Sequence, residues 1–270
     1  YNPWFRGRKF RNYALLLFSL GFYGWGEPLF IAVMLFSIFV NWLSAILIDR
    51  EDSPKARKRR LVPAVIFNIL LIFVFKYLAF SARNLGLLLG RDIRLNIALP
   101  IGISFFTFQI LSYVFDVYYR RAQLQRNLLY VGLYISLFPQ LIAGPIVRYE
   151  TIADEIVYRA ESRADITRGV IRFVYGLGKK ALIANYTAVI ADNIFSLAGG
   201  LSTATAWLGV VAYALQIYFD FSGYSDMAIG LGLVFGFHFD ENFNYPYTAG
   251  SVTDFWRRWH IDVYPKSRTF

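Results

Sequence analysis

Between positions 13 and 48 the sequence holds one charged residue, Glu27, in 36 positions. A single helix of that length would run roughly 54 Å, whereas the hydrocarbon core of a bilayer is about 30 Å thick. Such a run points to a membrane, and it must break to fit one. Gly24-Trp25-Gly26-Glu27-Pro28 combines two glycines, a charge and a proline, so the break is expected there. The reading is a short segment over 12–24 and a full span over 28–48. Arg6, Arg8, Lys9 and Arg11 precede this pair; Arg50, Lys55, Arg57, Lys58, Arg59 and Arg60 follow it. Two crossings put both basic clusters on one side, as the positive-inside rule requires, and one crossing would separate them.

The pattern continues along the chain. Residues 61–80 read as a span with Lys76 snorkelling near its far end, and 81–94 as a mixed linker. A further span covers 95–119, kinked early at Pro100-Ile101-Gly102, before Arg120, Arg121 and Arg126 return the chain to the basic side. Residues 127–147 are apolar but contain Pro139, Gly144 and Pro145, which predicts a broken helix. The stretch 148–172 has five arginines against five acids and reads as one amphipathic surface helix. Apolar helices are expected over 173–198, 204–221 and 224–239. At about 20 residues per span, the chain holds roughly seven to nine helices. A β-barrel is set aside, because the apolar runs are long and do not alternate in and out.

Composition narrows the chemistry. Hydrophobic residues make up 57% and charged residues 17%, against about 45–50% and 25% in soluble proteins. Disorder is excluded, and a compact soluble enzyme is disfavoured. The absence of cysteine rules out disulfides, zinc-thiolate sites, Fe–S clusters and thiol nucleophiles. Two histidines cannot make a three-histidine metal site, so no metal is expected. The net charge of +10 reads as loops held on the cytoplasmic side, not as a nucleic-acid surface.

The last third places polar groups where they are costly. Tyr218-Phe219-Asp220-Phe221-Ser222-Gly223-Tyr224-Ser225-Asp226 carries two carboxylates within apolar sequence. A charge at the bilayer centre costs about 2.5–3.5 kcal/mol on insertion scales. Asp220 and Asp226 therefore either pair with basic side chains and hold helices together, or line a reaction chamber. Ser251-Val252-Thr253-Asp254 fits a helix start, with Ser251 as N-cap and Asp254 in the capping-box position. If that helix runs on through Phe255-Trp256-Arg257-Arg258-Trp259-His260, Asp254 and Arg258 sit at i,i+4, as do Trp256 and His260. His260 is then either an interface histidine stacked on Trp256 or a group facing a polar chamber. His238, in Phe237-His238-Phe239, reads as structural. Ser225 fails the nucleophile-elbow pattern, and neither a P-loop nor HExxH is present.

Five strings carry a resemblance: Leu99-Pro100-Ile101-Gly102-Ile103-Ser104-Phe105; Ile142-Ala143-Gly144-Pro145-Ile146-Val147-Arg148-Tyr149; Tyr218 through Gly232; Glu241-Asn242-Phe243-Asn244 with Pro246-Tyr247; and Asp254 to Ile261. In this order they resemble the membrane-bound O-acyltransferase family, above all its alginate-type polysaccharide O-acetyltransferases, over about residues 10–261. The resemblance implies an all-α, polytopic transmembrane bundle with short re-entrant or broken helices around a central funnel. It implies transfer of an acetyl group from a cytoplasmic donor, acetyl-CoA or an acyl carrier, to a hydroxyl of an exported polysaccharide. No cofactor is bound; the donor is a substrate. His260 becomes the catalytic candidate, with Asp254, Trp256, Arg257, Arg258, Asp220 and Asp226 lining or supporting the chamber. The setting implied is a bacterial inner membrane, with the lipid bilayer, the polysaccharide acceptor and periplasmic acetylation proteins as partners.

The sequence departs from the family pattern twice. After Ile261 it reads Asp262-Val263-Tyr264-Pro265-Lys266-Ser267-Arg268-Thr269-Phe270, without the family's later helices and second histidine. The family's first span also lacks a counterpart. The expectation is one truncated family domain over 1–270, inactive by itself. Two other readings stay open: a catalytically incomplete scaffold or transporter-like bundle, and transfer of D-alanyl or another acyl group to a cell-envelope polymer.

Overall fold

The computed structural model describes residues 7–141, 144–145, 147–197 and 199–261. Positions 142, 143 and 146 of the second motif, Arg6, and the divergent stretch 262–270 lie outside the described residues. Among the described residues there is no strand, only one isolated bridge between Phe243 and Trp259. Helices account for the rest of the regular structure. They fall into two compact units, Tyr1–Ile142 with Arg148–Tyr158 and Ala143–Val147 with Arg159–Phe270.

In the first unit, α1 (Arg8–Gly26) and α2 (Ile31–Asp49) are separated where the Gly/Pro cluster predicted, and Glu27 ends α1. The Glu27 carboxylate accepts from the Ile101 backbone N–H at 3.2 Å, and the Tyr23 hydroxyl donates to the Ile101 carbonyl at 3.2 Å. These bonds bring the α1–α2 turn and the 89–102 loop to one end of the unit. At the opposite, basic end, Arg57 donates to the Val117 carbonyl and the Trp42 indole to the Arg126 carbonyl.

Three sequence boundaries differ here. α3 (Pro54–Ile72) starts within the basic cluster, where Pro54 fits the first helical turn and Pro63 is carried inside the helix. A π-helical turn, Phe73–Tyr77, joins α3 to α4 (Leu78–Leu88), so the expected linker 81–94 is helical as far as Leu88. The segment 95–102 is not helical, because Gly102 adopts the left-handed conformation (φ +74°) and α5 (Ile103–Tyr118) begins only after it.

Buried polar pairs hold this unit together. Asn41 and Asn68 exchange reciprocal amide bonds between α2 and α3, at 3.3 and 2.6 Å. The expected broken helix is α6 (Leu128–Ser136), capped by Asn127 and stopped before Pro139. The amphipathic stretch is two helices, α7 (Tyr149–Tyr158) and α8 (Arg163–Gly178), with Ser162 capping the second. Asp116, buried on α5, accepts from the Glu150 backbone N–H at 3.1 Å and so satisfies the first turn of α7.

In the second unit α8 runs through a π-helical turn (Lys179–Ala184) into α9 (Asn185–Phe195). α10 (Thr203–Val234) is one unbroken helix of 32 residues. The sequence reading divided it at Ser222-Gly223 and carried it to 239. Instead it stops in a Schellman turn, with Gly236 at φ +78° and the Phe237 N–H bonded to the Gly232 carbonyl at 2.8 Å.

Gly223 stays helical because it is a packing residue. A methyl group on Gly176 would lie 2.5 Å from the Gly223 carbonyl oxygen, and one on Gly169 would lie 2.5 Å from that of Gly230. α8 and α10 are therefore antiparallel helices in backbone contact along two glycine pairs, each one heptad apart. This is the small-residue packing expected where lipid supplies no hydrophobic drive between helices.

Ile31–Asp49, Pro54–Leu88 and Thr203–Val234 are long and apolar enough to cross a bilayer. Many large apolar side chains on these and other helices face outward, including Phe18, Leu70 and Trp207. Exposure on that scale marks a lipid-facing surface. The protein is a multi-pass helical membrane protein.

Candidate active site

The close approach of α8 and α10 sets Arg172 and Lys179 against the lower half of α10. Asp226, with only 15% of its side chain exposed, receives Arg172 Nη2 at 2.8 Å and Lys179 Nζ at 2.6 Å. Arg172 also grips Glu241 through both terminal nitrogens, each 2.5 Å from a carboxylate oxygen. The planar guanidinium suits this double role, since its donors fan out in a fixed fork. Two cations thus balance two carboxylates in a half-buried quartet, which is how a charge near apolar surroundings is made tolerable. Asp220 pairs with Lys180. Both carboxylates therefore pair with basic side chains across α8–α10, and Asp226 lines a cavity as well.

Beyond the Schellman turn the chain doubles back. Phe237 and Phe239 are buried, and Arg159 donates from Nε to the Phe235 carbonyl at 2.8 Å while its guanidinium covers the Phe237 ring. His238 is exposed between the two rings. Residues 242–244 then pair with the segment after α11 (Val252–Arg258). Asn244 N–H bonds to the Arg258 carbonyl at 2.9 Å, and Ile261 N–H to the Asn242 carbonyl at 3.0 Å.

α11 starts as expected. The Ser251 hydroxyl accepts from Asp254 N–H at 3.1 Å, and Asp254 Oδ2 accepts from Arg258 Nε at 3.0 Å and from Gly250 N–H at 3.4 Å. The Arg258 guanidinium holds the Asp254 carboxyl below the ordinary carboxylate range.

The helix does not continue to His260. It ends at Arg258; Trp259 is extended, and His260 takes a left-handed conformation with φ +52°. The expected i,i+4 pairing of Trp256 with His260 is therefore not formed. Trp256 is largely exposed, and Trp259 joins Tyr218, Phe243 and Phe255 in an aromatic cluster. The His260 ring stands edge-on to Phe221 at 4.8 Å, and its Nδ1 lies 3.2 Å from Asn242 Oδ1.

Asn242 connects His260 to a cavity of about 600 Å³, a size that admits part of a small-molecule substrate. Its wall includes Arg172, Lys179, Tyr218, Ser222, Ser225, Asp226, Glu241, Asn242 and Ile261. The Ser222 and Ser225 hydroxyls and the Asn242 Nδ2 are buried there without a partner among the described residues. Buried donors and acceptors left open in this way suit a polar ligand or water. Of the residues singled out in the sequence, Asp226 is on this wall. Asp254, Trp256, Arg257 and Arg258 sit on α11, outside the lining formed by the described residues, and His260 stands behind Asn242. Among the described residues no group of three His, Cys, Asp or Glu could hold a metal.

The family sequence profile described as MBOAT, the membrane-bound O-acyltransferase family, matches residues 120–265, which contain this whole site. The chain belongs to that family. The chain is similar to the probable alginate O-acetylase AlgI of Pseudomonas aeruginosa, 40% identical over 263 residues, covering 95% of this chain and 50% of that protein. A peptidoglycan O-acetyltransferase of Helicobacter pylori is 37% identical over 278 residues, covering 92% and 53%. A teichoic acid D-alanyltransferase of Bacillus subtilis is 27% identical over 180 residues, covering 62% and 43%. The chain spans about half the length of the curated relatives it matches most strongly.

Arg172, Lys179 and Asn242 were not singled out from the sequence. The signal for the first two was present: basic residues bordering an apolar helix, with carboxylates of unknown partner on another. Asn242 carried no signal beyond its place in the Glu241-Asn242-Phe243-Asn244 string.

Proposed function

We propose that the protein acts as a membrane O-acyltransferase that moves an acetyl group from a cytoplasmic donor, acetyl-CoA or an acyl carrier, to a hydroxyl of an exported, alginate-like polysaccharide. The observation that carries this reading is His260 held beside a polar cavity within the stretch that matches the family. The acceptor oxygen attacks the thioester carbonyl carbon as its proton passes to a histidine. The C–S bond breaks, and the leaving sulfur takes up a proton. Proton transfer of this kind is worth about 10²–10⁴-fold. His260 orients a reactant or shares the proton. Arg172 and Lys179 are the cations nearest the cavity and support negative charge developing there. Arg257, Arg258, Trp256 and Asp254 shape the approach to His260 from α11.

Acetylation takes place in this reading at the bacterial inner membrane, with periplasmic acetylation proteins receiving or presenting the polymer. A second reading, transfer of D-alanyl to a cell-envelope polymer, is favoured by the relatives named teichoic acid D-alanyltransferase. The test is His260→Ala in the full-length protein, with acetyl ester on the polysaccharide as readout. Loss of at least about 10²-fold is expected, and wild-type acetylation would remove His260 from the mechanism. A full-length protein that transfers D-alanine in place of acetate would select the second reading.

A further inference from the structure

We propose that the end of α4 and the turn after it form a binding site for an anionic phospholipid, with its phosphodiester on Arg83 and Arg91. A cavity of about 670 Å³ opens there in the first unit. Phe80, Arg83 and Leu87 line it from one face of α4, and Arg91, Asp92 and Arg94 line it from the loop. Arg94 is paired with Asp92 at 2.9 Å. The Arg83 and Arg91 guanidiniums hold neither a hydrogen bond nor an ion pair among the described residues. Residues 81–102 thus carry three arginines against one carboxylate. The two loop arginines lie at the end of the unit opposite its basic clusters, where the positive-inside rule keeps Lys and Arg scarce. Cations kept there without partners call for an anion.

The backbone fixes this arrangement. α4 ends in a Schellman turn: Gly90 is left-handed at φ +63°, and Arg91 N–H bonds to the Gly86 carbonyl at 2.8 Å. A methyl group on Gly86 would lie 2.5 Å from the Arg91 carbonyl oxygen and 3.0 Å from the Ile93 nitrogen, so the loop is seated on the helix backbone. That seating brings Arg91 to the same cavity as Arg83. A guanidinium presents its donors in a fixed fork that matches phosphate oxygens. The rest of the wall is apolar, with no hydroxyl or amide side chain among the described residues to bond a sugar. Phe80 and Leu87 are exposed and continue into the surface of a helical run long enough to cross a bilayer. A cationic rim beside an oily wall fits an amphiphile, its headgroup on the arginines and its chains along α4. Asp92 is already held by Arg94, which leaves no carboxylate for the ammonium of a zwitterionic lipid. The ligand is therefore a lipid of net negative charge, such as phosphatidylglycerol.

The experiment uses the full-length protein in phosphatidylcholine nanodiscs doped with a photoactivatable phosphatidylglycerol. The readout is the mole fraction of probe that half-saturates crosslinking to residues 79–95, located by peptide mass spectrometry. A basic side chain near an anionic lipid is worth about a fivefold change, so Arg83→Gln with Arg91→Gln should raise that fraction about 30-fold. Asp92→Asn, which removes the one carboxylate and frees Arg94, should lower it by about fivefold. A photoactivatable phosphatidylcholine should label the segment weakly. Equal labelling by the two lipids, or a half-saturation point unmoved in the double arginine variant, would overturn the inference. Displacement of the probe by inorganic phosphate would reassign the cavity to a free anion, and displacement by an alginate oligosaccharide would reassign it to a polymer; either overturns a lipid site. Thermal unfolding in pure phosphatidylcholine nanodiscs completes the test. The double variant should melt with wild type there, and a marked loss would place the arginines in contacts within the protein and refute the lipid site.

Discussion

The glycine contacts between α8 and α10 give the most direct test of the fold that carries the site. A methyl group at position 230 would lie 2.6 Å from the Gly169 carbonyl oxygen and 2.7 Å from the Phe173 backbone nitrogen. Both are backbone atoms, so no rotamer change relieves the contact. One helix must retreat from 2.6 Å to the roughly 3.4 Å of ordinary contact. Overpacking of this kind costs about 1–3 kcal/mol, against about 0.5–1 kcal/mol gained when alanine replaces glycine in a helix. Gly230→Ala should therefore lose up to about 2.5 kcal/mol net. Gly178→Ala is the matched control, because nothing lies within 4 Å of the added methyl; it should show only the gain. Thermal unfolding of the full-length protein in detergent would rank the two. If Gly230→Ala melted at or above the temperature of Gly178→Ala, the backbone contact between the helices would be refuted.

Two other expectations concern polar groups. Replacing Asn68 by leucine leaves the Asn41 Oδ1 without its Asn68 donor, while Asn41 Nδ2 keeps the Ser37 carbonyl, and should cost about 0.6 kcal/mol, the average for polar pairs in membranes, and at most about 1.7 kcal/mol. Replacing both asparagines with leucine should recover most of that loss, and a double-mutant cycle on unfolding free energies would measure the coupling. Asp254 supplies a pH test. Its folded carboxyl titrates below the unfolded value of about 3.9, so its ion pair contributes above that pH and is lost as the pH falls through the lower folded value. Wild type should melt above Asp254→Asn at neutral pH, and the gap should close in acid below about pH 4.

The sequence was legible where the cause was local. The Gly24–Pro28 break, the Ser251 cap and the Asp254–Arg258 pair each depend on residues within one or two turns, and each stands where the pattern put it. The membrane class was legible because hydrocarbon thickness leaves few choices for long apolar runs. Errors arose where distant packing decides. Ser222-Gly223 looked like a stop but lies inside α10, since Gly223 is held by Gly176, 47 positions earlier in sequence. Helical periodicity carried α11 through His260, but the chain leaves the helix to pair with residues 242–244. That pairing replaced Trp256 by Asn242 and Phe221 as the histidine's neighbours. Arg172 was invisible as a site residue because its carboxylate partners lie 54 and 69 positions away.

The helical run from Pro54 to Leu88 has 35 residues, about 52 Å at 1.5 Å per residue. Tilting alone cannot hide it in a hydrocarbon layer of about 30 Å, because the angle required exceeds the usual limit of about 40°. Its first turns carry Lys55, Arg57, Lys58, Arg59 and Arg60 and stay among lipid headgroups and water. At the other extremity Leu87 and Leu88, 71% and 84% uncovered, extend past a 20-residue greasy middle into the opposite boundary. The run thus works as a dipstick, with five cations at one tip and a single one, Arg83, in the last two turns at the other. Thinning or thickening the surrounding lipid would shift how far each tip protrudes, and the vertical seating of this half of the molecule would follow.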